Sequence, residues 1–209
     1  MARLRHIIPA LLAAASVALT GAARTAADFF TTAPDSVMPL LTGVTRLDMC
    51  DYHAAGSTRA STNRLGGHSR VTSQSPLLIE YELTDSATGS VALLTAGNDT
   101  VVAVVTTAAM PAPDSEIRLY DTSWRPLPAP AALPSYTDWL TDAGRADIER
   151  ATSLVPFVTY GATFDPGAQT LTLTGGAEEY VAPSLRGEAA RLFRPQIVIR
   201  CEGGKLRRL

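Results

Sequence analysis

Residues 77–83 alternate, with Ile79, Tyr81 and Leu83 on one side and Glu80 and Glu82 on the other. This predicts a strand with one buried face. A turn at 85–89 leads to a partner strand at 90–94, and Ala96-Gly97-Asn98-Asp99 has the chemistry of a second hairpin turn. Residues 100–107 are almost unbroken β-branched positions, the pattern of a strand covered on both faces or central in its sheet. Pro111 and Pro113 take the chain out of the sheet, and 116–120 return to it. The expectation is a four-stranded antiparallel meander.

Upstream, the apolar period lengthens. Val37, Leu40 and Leu41 form a helical stripe that Asp35 or Ser36 caps and Gly43 ends, with Pro39 shortening or kinking it. Residues 45–53 predict a second short helix with Leu47, Cys50 and His53 on one side, and 54–76 a long polar loop with space for a short strand. Pro126, Pro128, Pro130 and Pro134 make 126–134 a stiff extended connector and an internal boundary.

The order then recurs. Helices are expected at 136–140 and 143–151, a strand at 157–164, a turn at Asp165-Pro166-Gly167 and a strand at 170–174. An inserted helix follows at 183–193, then strands at 196–201 and 205–209 joined by Glu202-Gly203-Gly204. The predicted fold is α+β: two tandem halves, 28–125 and 135–209, each of helices plus a four-stranded antiparallel sheet, with the sheets separate or continuous. Val102, Val104, Ile197 and Ile199 are expected in the core. Strand 116–120 is the docking edge if the halves do not join through it, and the short basic strand 205–209 is a protected one.

The N-terminus changes the picture. Arg3 and Arg5 precede an apolar run from 7 to 23, and Thr25-Ala26-Ala27 offers a small-residue cleavage site before Asp28, with Gly21-Ala22-Ala23 as a second. Residues 1–27 are expected to be a secretory signal peptide, leaving an exported chain without a membrane span, in the periplasm or outside the cell. No cysteine at the cleavage site offers a lipid anchor. Hydrophobic residues are 46% of the chain, so disorder is not expected, and a formal net charge of −2 argues against nucleic acid.

Candidate chemistry is sparse. The two cysteines, Cys50 and Cys201, form either one disulfide or two buried thiols. Cys50 and His53 are spaced as a nucleophile pair, and Asp48, Asp51, His53 and His68 as mixed metal ligands. In the loop, Arg59, Arg64, Gly66, Gly67, His68 and Arg70 combine positive charge with glycine amides that converge on an anion. Glu80 and Glu82 are a carboxylate pair on one strand face, and Trp124 and Trp139 are either sugar-stacking surfaces or core anchors. Neither G-x-S-x-G nor a P-loop is present, and no cofactor is implied.

Arg46-Leu47-Asp48-Met49, Asp51-Tyr52, Ala55-Gly56-Ser57, Thr62-Asn63, Gly66-Gly67 and Ser69 run in order. Asp114-Ser115, Ile117, Tyr120, Asp121 and Trp124 follow, then Arg194-Pro195, Ile197 and Gly203-Gly204. This series resembles a family of small secreted proteins from Bacteroidales, classed only as a domain of unknown function. The resemblance implies export in a Gram-negative envelope and supplies no activity and no catalytic residue. The element order is also similar to tandem PepSY-like and inhibitor-like secreted domains, a likeness of fold alone. The expected function is non-catalytic binding of an envelope protein, peptide or glycan. The alternative is a hydrolase centred on Asp48, Asp51, His53 and His68.

Overall fold

The computed structural model of the chain describes residues 23–96, 99–109, 111–202 and 205–209. The basic start and apolar run of the expected signal peptide, and the expected turns at Asn98 and Gly203-Gly204, lie outside the described residues.

Helix α1 (Ala26–Thr32) was not legible, because its residues read as a cleavage site. Thr25 and Asp28 close a reciprocal capping box, and Phe29 and Phe30 are buried. Helix α2 (Gly43–Ala54) starts at the glycine expected to end a helix, because Thr42 caps it by accepting from Thr45 N–H at 3.1 Å. It buries Arg46 and Met49 and leaves Leu47 exposed, so its buried face is rotated from the expected one.

Residues 34–41 are turns, not a helix. Pro39 has no amide hydrogen to give, and a proline ring inside a helix meets the carbonyl four residues back. Strands β1 (Ser61–Thr62) and β2 (His68–Gln74) occupy the expected loop. With β3 (Leu78–Thr84), β4 (Ala87–Ala96), β5 (Asp99–Ala108) and β6 (Asp114–Tyr120) they form a six-stranded antiparallel meander in sequence order. The second half contributes α3 (Asp142–Ala146), α4 (Ile148–Leu154), β7 (Tyr160–Asp165), β8 (Thr170–Gly175), α5 (Arg186–Leu192), β9 (Gln196–Glu202) and β10 (Lys205–Arg208). Asp147 ends α3 and caps α4, so the single helix expected there is two. Gly167 lies in the β7–β8 turn, where Asp165 Oδ1 accepts its amide at 2.8 Å.

The protein is α+β, with one six-stranded and one four-stranded sheet rather than two of four. The sheets are separate; the four-stranded one runs β10-β9-β8-β7. A continuous sheet would need β6 to pair with a strand of the second half. Instead the outer edge of β6 is taken by the connector: Leu127 N–H donates to Leu119 O at 2.8 Å, and Tyr120 bridges Pro126.

Strand β5 is covered on both faces. Val102 and Val104 join a first core with Phe29, Phe30 and Met49, while Ala103 and Val105 join a second with Leu173 and Ile199. The second core draws on both sides of the proline-rich connector and includes Trp139, Leu140 and Leu192. Ile197 is buried there too.

No disulfide joins Cys50 to Cys201. Cys50 packs against the first core and Cys201 belongs to the second, on opposite faces of the six-stranded sheet. A bridge demands a Cα separation of only about 4.4–6.8 Å.

Candidate functional site

The expected catalytic and metal-binding residues do not converge. Among the described residues no group of three His, Cys, Asp or Glu side chains is placed to hold a metal ion. Asp48, Asp51 and His53 ride on α2, while His68 starts β2 with its side chain exposed. Burial, and then the charge of Asp51, push the Cys50 thiol up to about 11, the opposite of what a nucleophile needs. Glu82 is gripped by Arg70 through Nε at 2.7 Å and Nη2 at 2.8 Å. Those hydrogen bonds lower its pKa and keep it from acting as a general acid. Trp139 is buried and stacked on Tyr160, and Trp124 packs edge-on against Phe29 and Tyr120. Both are core anchors.

The expected anion loop is organised around Asn63, which is buried. Its Oδ1 accepts from the amides of Leu65 and Gly67, each at 3.0 Å, and its Nδ2 donates to Leu83 O at 3.0 Å. Gly66 adopts φ +78°, and its amide donates to Asn63 O at 3.0 Å. The Gly66 and Gly67 amides that would cradle an anion are therefore used internally. Arg59 lies over the ring of Tyr52, Arg64 pairs with Asp35 and Arg70 with Glu82. The loop does not gather its arginines into one site.

What the structure builds instead is a strap over the first sheet. Residues 33–42 cross it, and arginines from elsewhere take the strap's carbonyls. Arg46, buried in α2, donates to Ala33 O and Leu41 O and lies 3.6 Å from Asp35. Burial lowers its pKa, and Asp35 opposes that shift. The Arg64 amide donates to Leu40 O at 3.0 Å, and Arg118 Nη2 to Val37 O at 3.1 Å.

Between strap and sheet lies a cavity of about 220 Å³. Val37, Met38 and Leu41 form its roof and Tyr81, Val104 and Thr106 much of its floor, with Glu116 and Arg118 also in its wall. Tyr81 is 3% exposed. Its ring lies across Gly89, where a Cβ would sit 2.4 Å from the ring and 2.5 Å from the hydroxyl. Gly89 pairs with Thr106 on the next strand, so the hydroxyl is aimed toward the cavity floor. Among the described residues none hydrogen-bonds to it, and it is not one of the fully enclosed unpaired atoms, Arg46 Nε, Ser61 Oγ and Trp124 Nε1, so it meets the open space of the cavity. Burial raises its pKa, with Arg118 and Arg46 opposing, so it is a proton donor at physiological pH.

Sequence reasoning passed over this site because its residues are ordinary core and edge positions. The only local signals were Pro39 within the expected helix and a glycine opposite a tyrosine.

A family model described as "Protein of unknown function (DUF3256)" matches residues 18–206. The chain belongs to this family. The solved structure of a domain of an uncharacterized protein from Porphyromonas gingivalis W83 is similar to it: 25% identity, TM-score 0.71, covering 86% of this chain and 96% of that one. No curated protein matches the chain. The DUF3256 fold thus recurs in a Bacteroidales protein, and neither comparison supplies an activity. Among the described residues of this DUF3256 protein, no helix is long and apolar enough to cross a membrane.

Proposed function

We propose that this protein is an exported, non-catalytic binding module of the cell envelope, and that its ligand is a protein or peptide held under the strap. One observation carries the reading: a nearly fully buried tyrosine presents an unused hydroxyl to a 220 Å³ cavity with a mainly apolar lining. A polar group left open in an apolar pocket is how binding sites fix orientation. The predominance of apolar lining favours a protein or peptide over a glycan, whose many hydroxyls need polar partners. Export is supported by Arg3, Arg5 and the apolar run that follows.

Hydrogen exchange on the purified protein, with and without envelope extract, tests the proposal. Slower exchange confined to residues 37–41 and 104–118 is expected. Unchanged exchange there, or recovery of the native protein in the cytoplasmic fraction, overturns it.

A further inference from the structure

We infer that the strap cavity recognises a carboxylate carried on a compact apolar body. That is the chemistry of a peptide's apolar C-terminal residue and of a small free organic acid. The inference rests on the reading of this cavity as a ligand site and names what enters it.

Size sets the body. A cavity of about 150 Å³ lined by aliphatic and aromatic side chains accommodates benzene. At about 220 Å³ this one takes a ring or branched aliphatic group with a head group attached. Val37, Met38, Leu41 and Val104 supply apolar walls for it.

Charge sets the head. Three guanidinium groups hold the strap, those of Arg46, Arg64 and Arg118. Two carboxylates answer them: Asp35, shared between Arg46 and Arg64, and Glu116, 3.6 Å from Arg118 and itself largely exposed. One positive charge is left over, on Arg46 and Arg64, which share Asp35 beside the strap; in the cavity lining itself Glu116 stands against Arg118. Of its five N–H donors, Arg118 commits one to Val37 O and turns Nε toward Glu116, which leaves others for a ligand. The neutral Tyr81 hydroxyl and Arg118 together make a donor pair for a carboxylate, the hydroxyl from the floor and the guanidinium from the wall. A neutral amide in the same place would set its own N–H groups against donors.

Calorimetric titration of the full exported chain tests this with four probes: phenylacetate, phenylacetamide, the tripeptide Ala-Ala-Phe and its C-terminal amide. Saturable binding of at least one carboxylate probe is expected, with its amide weaker by roughly tenfold or more. Tyr81→Phe keeps the ring over Gly89 and should weaken carboxylate binding by a similar factor at an unchanged melting temperature. Arg118→Gln should do the same, with circular dichroism as the check on folding. Tight binding of the tripeptide alone identifies a peptide terminus, whereas phenylacetate binding as tightly as the tripeptide identifies a free acid. Equal affinity for acid and amide, or full affinity in folded Tyr81→Phe, overturns the inference. If no probe binds while envelope extract still protects residues 37–41 from exchange, the ligand chemistry is wrong and the cavity remains the site. If both fail, the binding reading falls with it.

Discussion

Tyr81 lies flat across the sheet because its cross-strand neighbour has no side chain. Gly89→Ala would place a methyl group 2.4 Å from the tyrosine ring, so the ring must move into the cavity or the strands must part. The variant is expected to lose about 1–3 kcal/mol, the usual cost of overpacking. A urea denaturation midpoint equal to that of the native protein would show that the ring does not occupy that space. Asp138 gives a second residue-scale prediction. Its pKa is held down to about 2, first by the Ser135 hydroxyl, then by the Ser135 amide and Arg208. A carboxylate whose folded pKa lies below its unfolded value of 3.8 stabilises the fold above that value. The contribution is lost as pH falls from 3.8 through about 2. Asp138→Asn should therefore be less stable near neutrality and show a shallower loss of stability across that acid window, read as melting temperature against pH. At this scale the sequence revealed residue types but not their duties. Arg46, Asn63, Ser115 and Asp121, which carry the family resemblance, all turn out to bind backbone groups.

Among the elements, the strands were the most legible and the N-terminal region the least. Period-two alternation marks β3, β8 and β9 and an unbroken β-branched run marks β5, and all four fall close to their expected spans. The 34–41 stripe looked helical because Val37, Leu40 and Leu41 share helical spacing; of the arginines that hold its carbonyls, Arg46 is five residues from Leu41 but Arg118 is 81 residues from Val37. Helix α1 bears on processing. Arg24 donates to Thr32 Oγ1 at 2.8 Å and stacks over Phe29, Thr25 caps the helix, and the Ala26 amide donates to Pro76 O at 2.8 Å. Cleavage before Asp28 would remove all three anchors, at about 1 kcal/mol for the cap alone. Under the export proposed above, the processed chain is therefore expected to begin at Arg24. N-terminal sequencing that found Asp28 would refute this. Strand β6 is the last of its sheet, but the connector covers the outer side expected to dock a partner, and a proline at Arg118, tolerable on a free edge, would not be tolerated here. Leu119 O points outward to Leu127, so the backbone groups of Arg118 point inward to β5, and Arg118→Pro would break the ladder.

For the molecule as a whole, the second core decides how it unfolds. Leu94, Ala103 and Ile117 from the six-stranded sheet pack in one cluster with Leu173, Leu192 and Ile199 from beyond the connector. Neither side buries these residues alone, so calorimetry is expected to give a single transition. Leu173→Ala should lower all of it, by about 2–5 kcal/mol. Two resolved transitions, with only one sensitive to Leu173→Ala, would mean that the halves fold separately. The sequence by itself determined the α+β class, the spans of β3, β5, β8 and β9, and the burial of Val102, Val104, Ile197 and Ile199. Each of these follows from side-chain character and period within a few residues. Only the tertiary structure decided that the sheets stay apart, that Cys50 and Cys201 lie in different cores, and that residues 33–42 form a strap over a cavity. Those features depend on contacts such as Arg118 to Val37, 81 residues apart in the chain. A hydrogen bond between a side chain and a distant carbonyl leaves no periodic trace in the sequence.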